Sequence, residues 1–151
     1  MKFLVKELKP FVDKNYSTYT DASHTFIMGS SMGGLISMYA ICEYPEVFGG
    51  AICMSTHWPG IFASENNPIP LAFQNYLKAT LPNPKTHKIY FDFGTETLDK
   101  LYEPYQMKVD EIMKAKKFGK KNWQTLKFEG EDHSEKSWAK RLSIPLAFML
   151  K

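Results

Sequence analysis

Gly29-Ser30-Ser31-Met32-Gly33 is the stretch that decides the fold, because it reads G-x-S-x-G between a strand-like and a helix-like run. In front of it lies Thr25-Phe26-Ile27-Met28, and behind it Leu35-Ile36-Ser37-Met38-Tyr39-Ala40. Strand, sharp turn and helix in that order make a nucleophile elbow. The turn forces the serine backbone into a strained geometry, and the flanking glycines let strand and helix pass closely. The Ser31 hydroxyl then stands clear of the sheet, with backbone N–H groups facing it.

Working outward, apolar periodicity predicts a helix over 3–16, with Leu4, Leu8, Phe11 and Val12 on one side. Pro10 kinks that helix or marks its true start. A strand is expected over 24–28 and the elbow helix over 33–44, ended by Pro45. Gly49-Gly50 opens a second strand over 51–55, followed by a turn-rich segment over 56–67 and a helix over 70–80. A third strand over 88–93 ends at Gly94, and a helix over 104–118 leads to a fourth strand over 124–128. The last helix is expected over 135–150, with Pro145 as a kink. Strands alternating with helices place the chain in the α/β class: a mostly parallel sheet of about four strands with flanking helices and right-handed crossovers. The strands are apolar without strict alternation, as suits a sheet covered on both faces. No repeat or composition break divides residues 1–151, so a single domain is expected.

Composition narrows the function. The 44% hydrophobic and 23% charged residues are those of an ordinary globular chain, and a net charge of +3 does not argue for nucleic acid. The lysines at 114, 116, 117, 120 and 121 fit a solvated helix C-terminus. No apolar run approaches the ~20 residues of a membrane span. The opening MKFLVKELKP lacks a signal-peptide core, so with Met1 as the true start a cytoplasmic location is expected. Cys42 and Cys53 lack metal or redox spacing and read as buried free thiols. No motif implies a metal or an organic cofactor.

In a parallel sheet, ligands bind beyond the carboxyl ends of the strands. Ser31 passes this filter, as does His133 just past the fourth strand. His24 and His87 lie at the amino ends of their strands and fail it. A serine hydroxyl needs a base within hydrogen-bond reach, and imidazole takes and returns the proton near neutral pH. His133 is the candidate base. The orienting acid is expected after the third strand, which leaves Asp99 first and Glu96 as the alternative. Asp92 lies inside the strand and reads as structural; Asp132 adjoins the histidine and is an outside candidate. The N–H of Met32 is the expected oxyanion donor. The segment Thr56-His57-Trp58-Pro59-Gly60-Ile61-Phe62 is expected to line one wall, with His57 and Trp58 as substrate-binding candidates. Trp58 reads either as a stacking surface or as a packing anchor.

The elbow, the run Phe91-Asp92-Phe93-Gly94-Thr95-Glu96 and the run Gly130-Glu131-Asp132-His133-Ser134-Glu135-Lys136-Ser137-Trp138 resemble the putative-esterase family of the α/β-hydrolase fold. This family includes enterochelin-type, feruloyl and acetyl-xylan esterases, S-formylglutathione hydrolases and mycolyl transferases. The resemblance covers nearly the whole chain and implies a serine hydrolase of carboxylic esters, with Ser31 as nucleophile and His133 as base. Some relatives place the acid three residues after the glycine of G-T-x-D/E, where this chain has Thr97, so Glu96 or Asp99 substitutes; others manage with a serine–histidine dyad. The resemblance is to the C-terminal half of the fold only. A truncated α/β-hydrolase sheet leaves the elbow strand unpaired on one side, which invites a homodimer through that edge or marks a piece of a longer protein. The other half of the fold carries the loop that gives the second oxyanion donor. Two alternatives to a small-molecule ester hydrolase follow: a weakly active or non-catalytic remnant that binds a ligand or partner, and an acyltransferase.

Overall fold

The strands β1 (Phe26–Ser30), β2 (Gly50–Met54), β3 (Lys88–Gly94) and β4 (Trp123–Phe128) form one sheet in the order β1-β2-β3-β4, every neighbouring pair parallel. The structure is a computed structural model and describes residues 1–61 and 66–151. Helix α1 (Lys9–Asn15) precedes β1, and α2 (Met32–Glu43) joins β1 to β2. Helix α3 (Ile69–Thr80) lies between β2 and β3, and α4 (Glu103–Ala115) between β3 and β4. Two short helices, α5 (Glu135–Arg141) and α6 (Ser143–Met149), follow β4.

The alternation of side chains along the inner strands supplies two cores. Ala51, Cys53, Ile89 and Phe91 join Met38, Ile41, Leu77, Val109 and Met113 on the face covered by α2, α3 and α4. Ile52, Met54 and Tyr90 join Met149 on the other face, with Trp138, Leu142 and Phe148 packed around them. Every residue of β2 is therefore buried, and this is why its sequence shows no polar alternation. Cys42 and Cys53 are free and buried, and desolvation pushes the Cys42 thiol up to about 11.

Several boundaries differ from the sequence expectation. Strand β1 starts at Phe26 because His24 belongs to a 3-10 turn, its ring hydrogen-bonded to Asp21 and stacked on Tyr19. The strand extends to Ser30 because pairing with β2 continues to Met54. A π-helical turn, Leu4–Leu8, precedes α1, and Pro10 sits in the first turn of α1, where its missing N–H costs least. Phe3, Leu8 and Phe11 are exposed on that segment. The expected last helix is divided at Leu142, three residues before Pro145, a ring that cannot donate into a continuous helical ladder.

Among the described residues β1 pairs with β2 alone, so it forms one edge of the sheet. Met28 on β1 and Ile36 on α2 are 49% and 50% exposed there. Among the described residues no helix is long and apolar enough to cross a membrane.

Candidate active site

The elbow forms because the chain tolerates strain at one serine. Ser31 has φ 57° and ψ −120°, a left-handed backbone that costs a non-glycine residue about 1–3 kcal/mol. Two hydrogen bonds hold it: Ser31 N–H donates to Met54 C=O at 2.9 Å, and Ser31 C=O accepts from His57 N–H at 3.1 Å. Gly29 is required by contact, since a Cβ there would lie 2.5 Å from the Gly33 carbonyl carbon and oxygen. A Cβ on Gly33 would meet nothing within 4 Å. The close approach thus needs a glycine on the strand, and the second glycine of the motif is sterically free. Helix α2 begins at Met32, whose first-turn N–H has no intrahelical acceptor and, among the described residues, no other acceptor.

The carboxyl ends of β3 and β4 bring the other two groups. His133 Nε2 lies 2.9 Å from Ser31 Oγ, and His133 Nδ1 lies 2.5 Å from Asp99 Oδ1. Asp99 has no exposed side-chain surface, whereas His133 keeps 14%. His133 is held through its backbone and through its ring. His133 N–H donates to Thr97 Oγ1 at 2.9 Å, and the ring stands edge-on to Tyr102 and Trp138, with centroids 5.7 and 5.0 Å away. Asp99 heads the 3-10 turn Asp99–Leu101, which points its carboxylate back under the sheet end. Glu96 is exposed, and its backbone N–H is spent on the Glu131 carbonyl. Between the two sequence candidates, the fold brings Asp99 to the histidine and leaves Glu96 in solvent. Thr97, at the position where the resemblance expects an acid, instead binds the backbone of the histidine loop. That loop comes so near that a Cβ on Gly94 would overlap the Glu131 carbonyl.

The remaining candidates fall elsewhere. Asp132 accepts from Ser134 and Ser137 at the start of α5, and these bonds hold its carboxyl below the usual range. His87 is buried and bonded to the Pro45 and Asn83 carbonyls. Asp92 is buried against Arg141, its carboxyl Oδ1 accepting from Nη2 at 3.0 Å. Burial raises its pKa, and the guanidinium opposes that rise. His57 borders the site and shares a 2.7 Å hydrogen bond with Tyr102 Oη through Nδ1. Burial, then the neighbouring His133, lower its pKa, which keeps the ring neutral at neutral pH.

Trp58 differs from one of its two sequence readings. It is 2% exposed, donates to Gln106 Oε1 at 2.8 Å and packs against Phe73 and Phe91. It is a packing anchor and offers no face to a ligand, because its indole N–H finds its partner inside the core. Phe62, named with the same wall, lies outside the described residues. Ser55, Tyr102, Trp138 and Arg141 surround Asp99 and His133, and sequence reasoning gave them no role. Ser55 alone carried a usable signal, as a polar residue at the carboxyl end of a strand. A basic cleft of about 1230 Å³, lined by Lys85, Lys88, Lys116, Lys117 and Lys121, opens at the amino ends of the strands and includes none of the acid, base or elbow residues.

Solved structures share this architecture. A ferulic acid esterase superposes with a TM-score of 0.75 at 19% identity, covering 98% of this chain and 59% of that one. The enterochelin esterase from Shigella flexneri gives 0.71 at 22% identity, covering 97% and 35%. An uncharacterized protein of Bacillus subtilis (strain 168), YjcH, is 34% identical over 56 residues, which are 37% of this chain and 23% of that protein. The chain thus spans well under two thirds of each of these proteins. Residues 1–148 match the family described as putative esterase. With that match over nearly its whole length and the sheet of the α/β-hydrolase-like esterases, the chain belongs to the putative-esterase family.

Proposed function

We propose that this chain is a serine hydrolase of carboxylic esters, with Ser31 as nucleophile, His133 as general base and acid, and Asp99 as the orienting carboxylate. The observation that carries the reading is the unbroken line of contacts from Ser31 Oγ to His133 Nε2 and from His133 Nδ1 to Asp99. Ser31 Oγ attacks the ester carbonyl while its proton passes to Nε2. The carbonyl oxygen becomes an oxyanion, which the free N–H of Met32 at the head of α2 is placed to receive; such a donor is worth roughly 10²–10³ in rate. Collapse breaks the acyl–oxygen bond, and the proton on Nε2 goes to the departing alcohol. Ser31 is left acylated. Water then attacks the acyl carbonyl and gives a proton to Nε2; collapse breaks the bond to Ser31 and releases the acid, and the proton on Nε2 returns to Ser31 Oγ. Asp99 keeps the Nδ1–H tautomer throughout and accepts no proton.

Replacement of Ser31 by alanine tests this. Hydrolysis of p-nitrophenyl acetate by Ser31→Ala is expected to fall to background; undiminished turnover would overturn the assignment. The edge of β1 supports a second element of the reading. Half-exposed Met28 and Ile36 beside the outer edge of β1, which has no strand partner among the described residues, favour pairing with a second copy of this chain there.

A further inference from the structure

Beneath the acid lies a polar cluster that the proposed chemistry does not use. Ser55 follows β2, is fully buried and has a left-handed backbone with φ 42°. Its hydroxyl oxygen lies 2.5 Å from Asp99 Oδ2, 2.9 Å from Arg141 Nη2 and 2.9 Å from Trp138 Nε1. The chemistry of the partners settles which way each bond runs. Guanidinium and indole N–H groups only donate, so they take the two lone pairs of the hydroxyl. Its single proton is left for Asp99 Oδ2, which can only accept when ionised.

Asp99 Oδ2 also accepts from Gly94 N–H at 2.6 Å. One carboxylate oxygen is therefore pinned by two donors, and the other is presented to His133. Arg141 is fixed in turn by Asp92, through the same Nη2 at 3.0 Å, with both side chains almost wholly buried. Trp138 reaches the histidine as well, since its ring stands edge-on to His133.

We infer that Ser55 is a positioning residue for the acid. Arg141 and Trp138 orient its hydroxyl, and that hydroxyl locks the rotation of the Asp99 carboxylate so that Oδ1 faces His133 Nδ1. Ser55 touches neither substrate nor the reacting atoms and acts through Asp99. This inference rests on the serine-hydrolase reading above for its consequence in turnover, and on the geometry alone for its effect on the histidine.

The test uses the full chain carrying Ser55→Ala, with Ser55→Gly as the second variant, because glycine adopts φ 42° without strain and removes the same hydroxyl. Two quantities are read: kcat and KM on p-nitrophenyl acetate, and the low-field proton resonance of the His133 Nδ1–H bound to Asp99. The expected result is a fall in kcat of about 10- to 100-fold, the scale of a displaced catalytic group, with KM changed less than about two-fold. The resonance should move upfield in both variants, whether or not substrate is present. An unmoved resonance in a folded variant, no such resonance in the parent protein, or kcat retained within about two-fold overturns the inference. A rise in KM alone also overturns it. The two readings fail separately. If Ser31→Ala leaves hydrolysis intact, the esterase reading falls while the resonance still reports on Ser55. If hydrolysis needs Ser31 but the Ser55 variants keep their kcat, only this inference falls.

Discussion

Asp99 has a fully buried side chain held by Ser55, Gly94 and His133, whereas Met32, which follows Ser31 at the head of α2, is 52% exposed at the edge of the sheet. The acid–base side of the site is built from the ends of β3 and β4, with helices packed over both faces of the sheet behind it. The Ser31 side is built on β1, which among the described residues pairs with β2 alone, and on α2, an apolar helix that still shows Met32, Ile36 and Tyr39 to solvent. A helix that is apolar all round belongs in an interior. On the proposed reading, His133 and Asp99 are held by this chain's own packing, whereas the head of α2 beside Ser31 lies at the open edge of β1.

The strongest way to break that comparison is at the acid. Asp99→Asn keeps the shape of the side chain but presents the wrong tautomer to His133, and kcat on p-nitrophenyl acetate should fall by about 10⁴-fold. Glu96→Gln, made in parallel, should leave kcat within about two-fold. Equal losses in the two variants would mean that the buried side does not carry the acid. The Ser31 side is probed through its glycines. Gly29→Ala forces a methyl into the Gly33 carbonyl and should cost about 1–3 kcal/mol in denaturant unfolding. Gly33→Ala meets open space on a helix and should leave stability unchanged or raise it by about 0.5–1 kcal/mol.

These predictions also mark what the sequence disclosed. Strand–helix alternation located all four strands to within two residues, because each is a short apolar run closed by glycine or a turn. The strand-end rule brought Ser31 and His133 together across 102 positions, since in a parallel sheet every carboxyl end opens on one side. The sequence put Asp99 ahead of Glu96 without deciding between them. The choice follows from the positive φ of Thr97, whose hydroxyl binds the His133 backbone, and from the 3-10 turn that begins at Asp99. The sequence left Trp58 open between a stacking surface and a packing anchor, because nothing local reveals Gln106, its partner 48 residues on. The place of Ser55 after a strand was legible, but its contacts were not, as its hydroxyl partners stand at 99, 138 and 141.

A smaller effect sharpens the comparison from the outside. If a second copy covers the β1 edge, sedimentation at micromolar concentration should show a dimer, and Met28→Lys should shift it to monomer without unfolding it. A parent protein that stays monomeric under those conditions would remove the dimer from the account.

The central claim is that Ser31 is activated by His133 and Asp99. Its most direct test is labelling with a fluorophosphonate followed by peptide mass spectrometry, since phosphonylation needs an activated hydroxyl and no knowledge of the natural ester. The account predicts one adduct, on Ser31, that disappears in Ser31→Ala and is strongly slowed in Asp99→Asn. A folded protein that takes up no label, or takes it up on another residue, would contradict it.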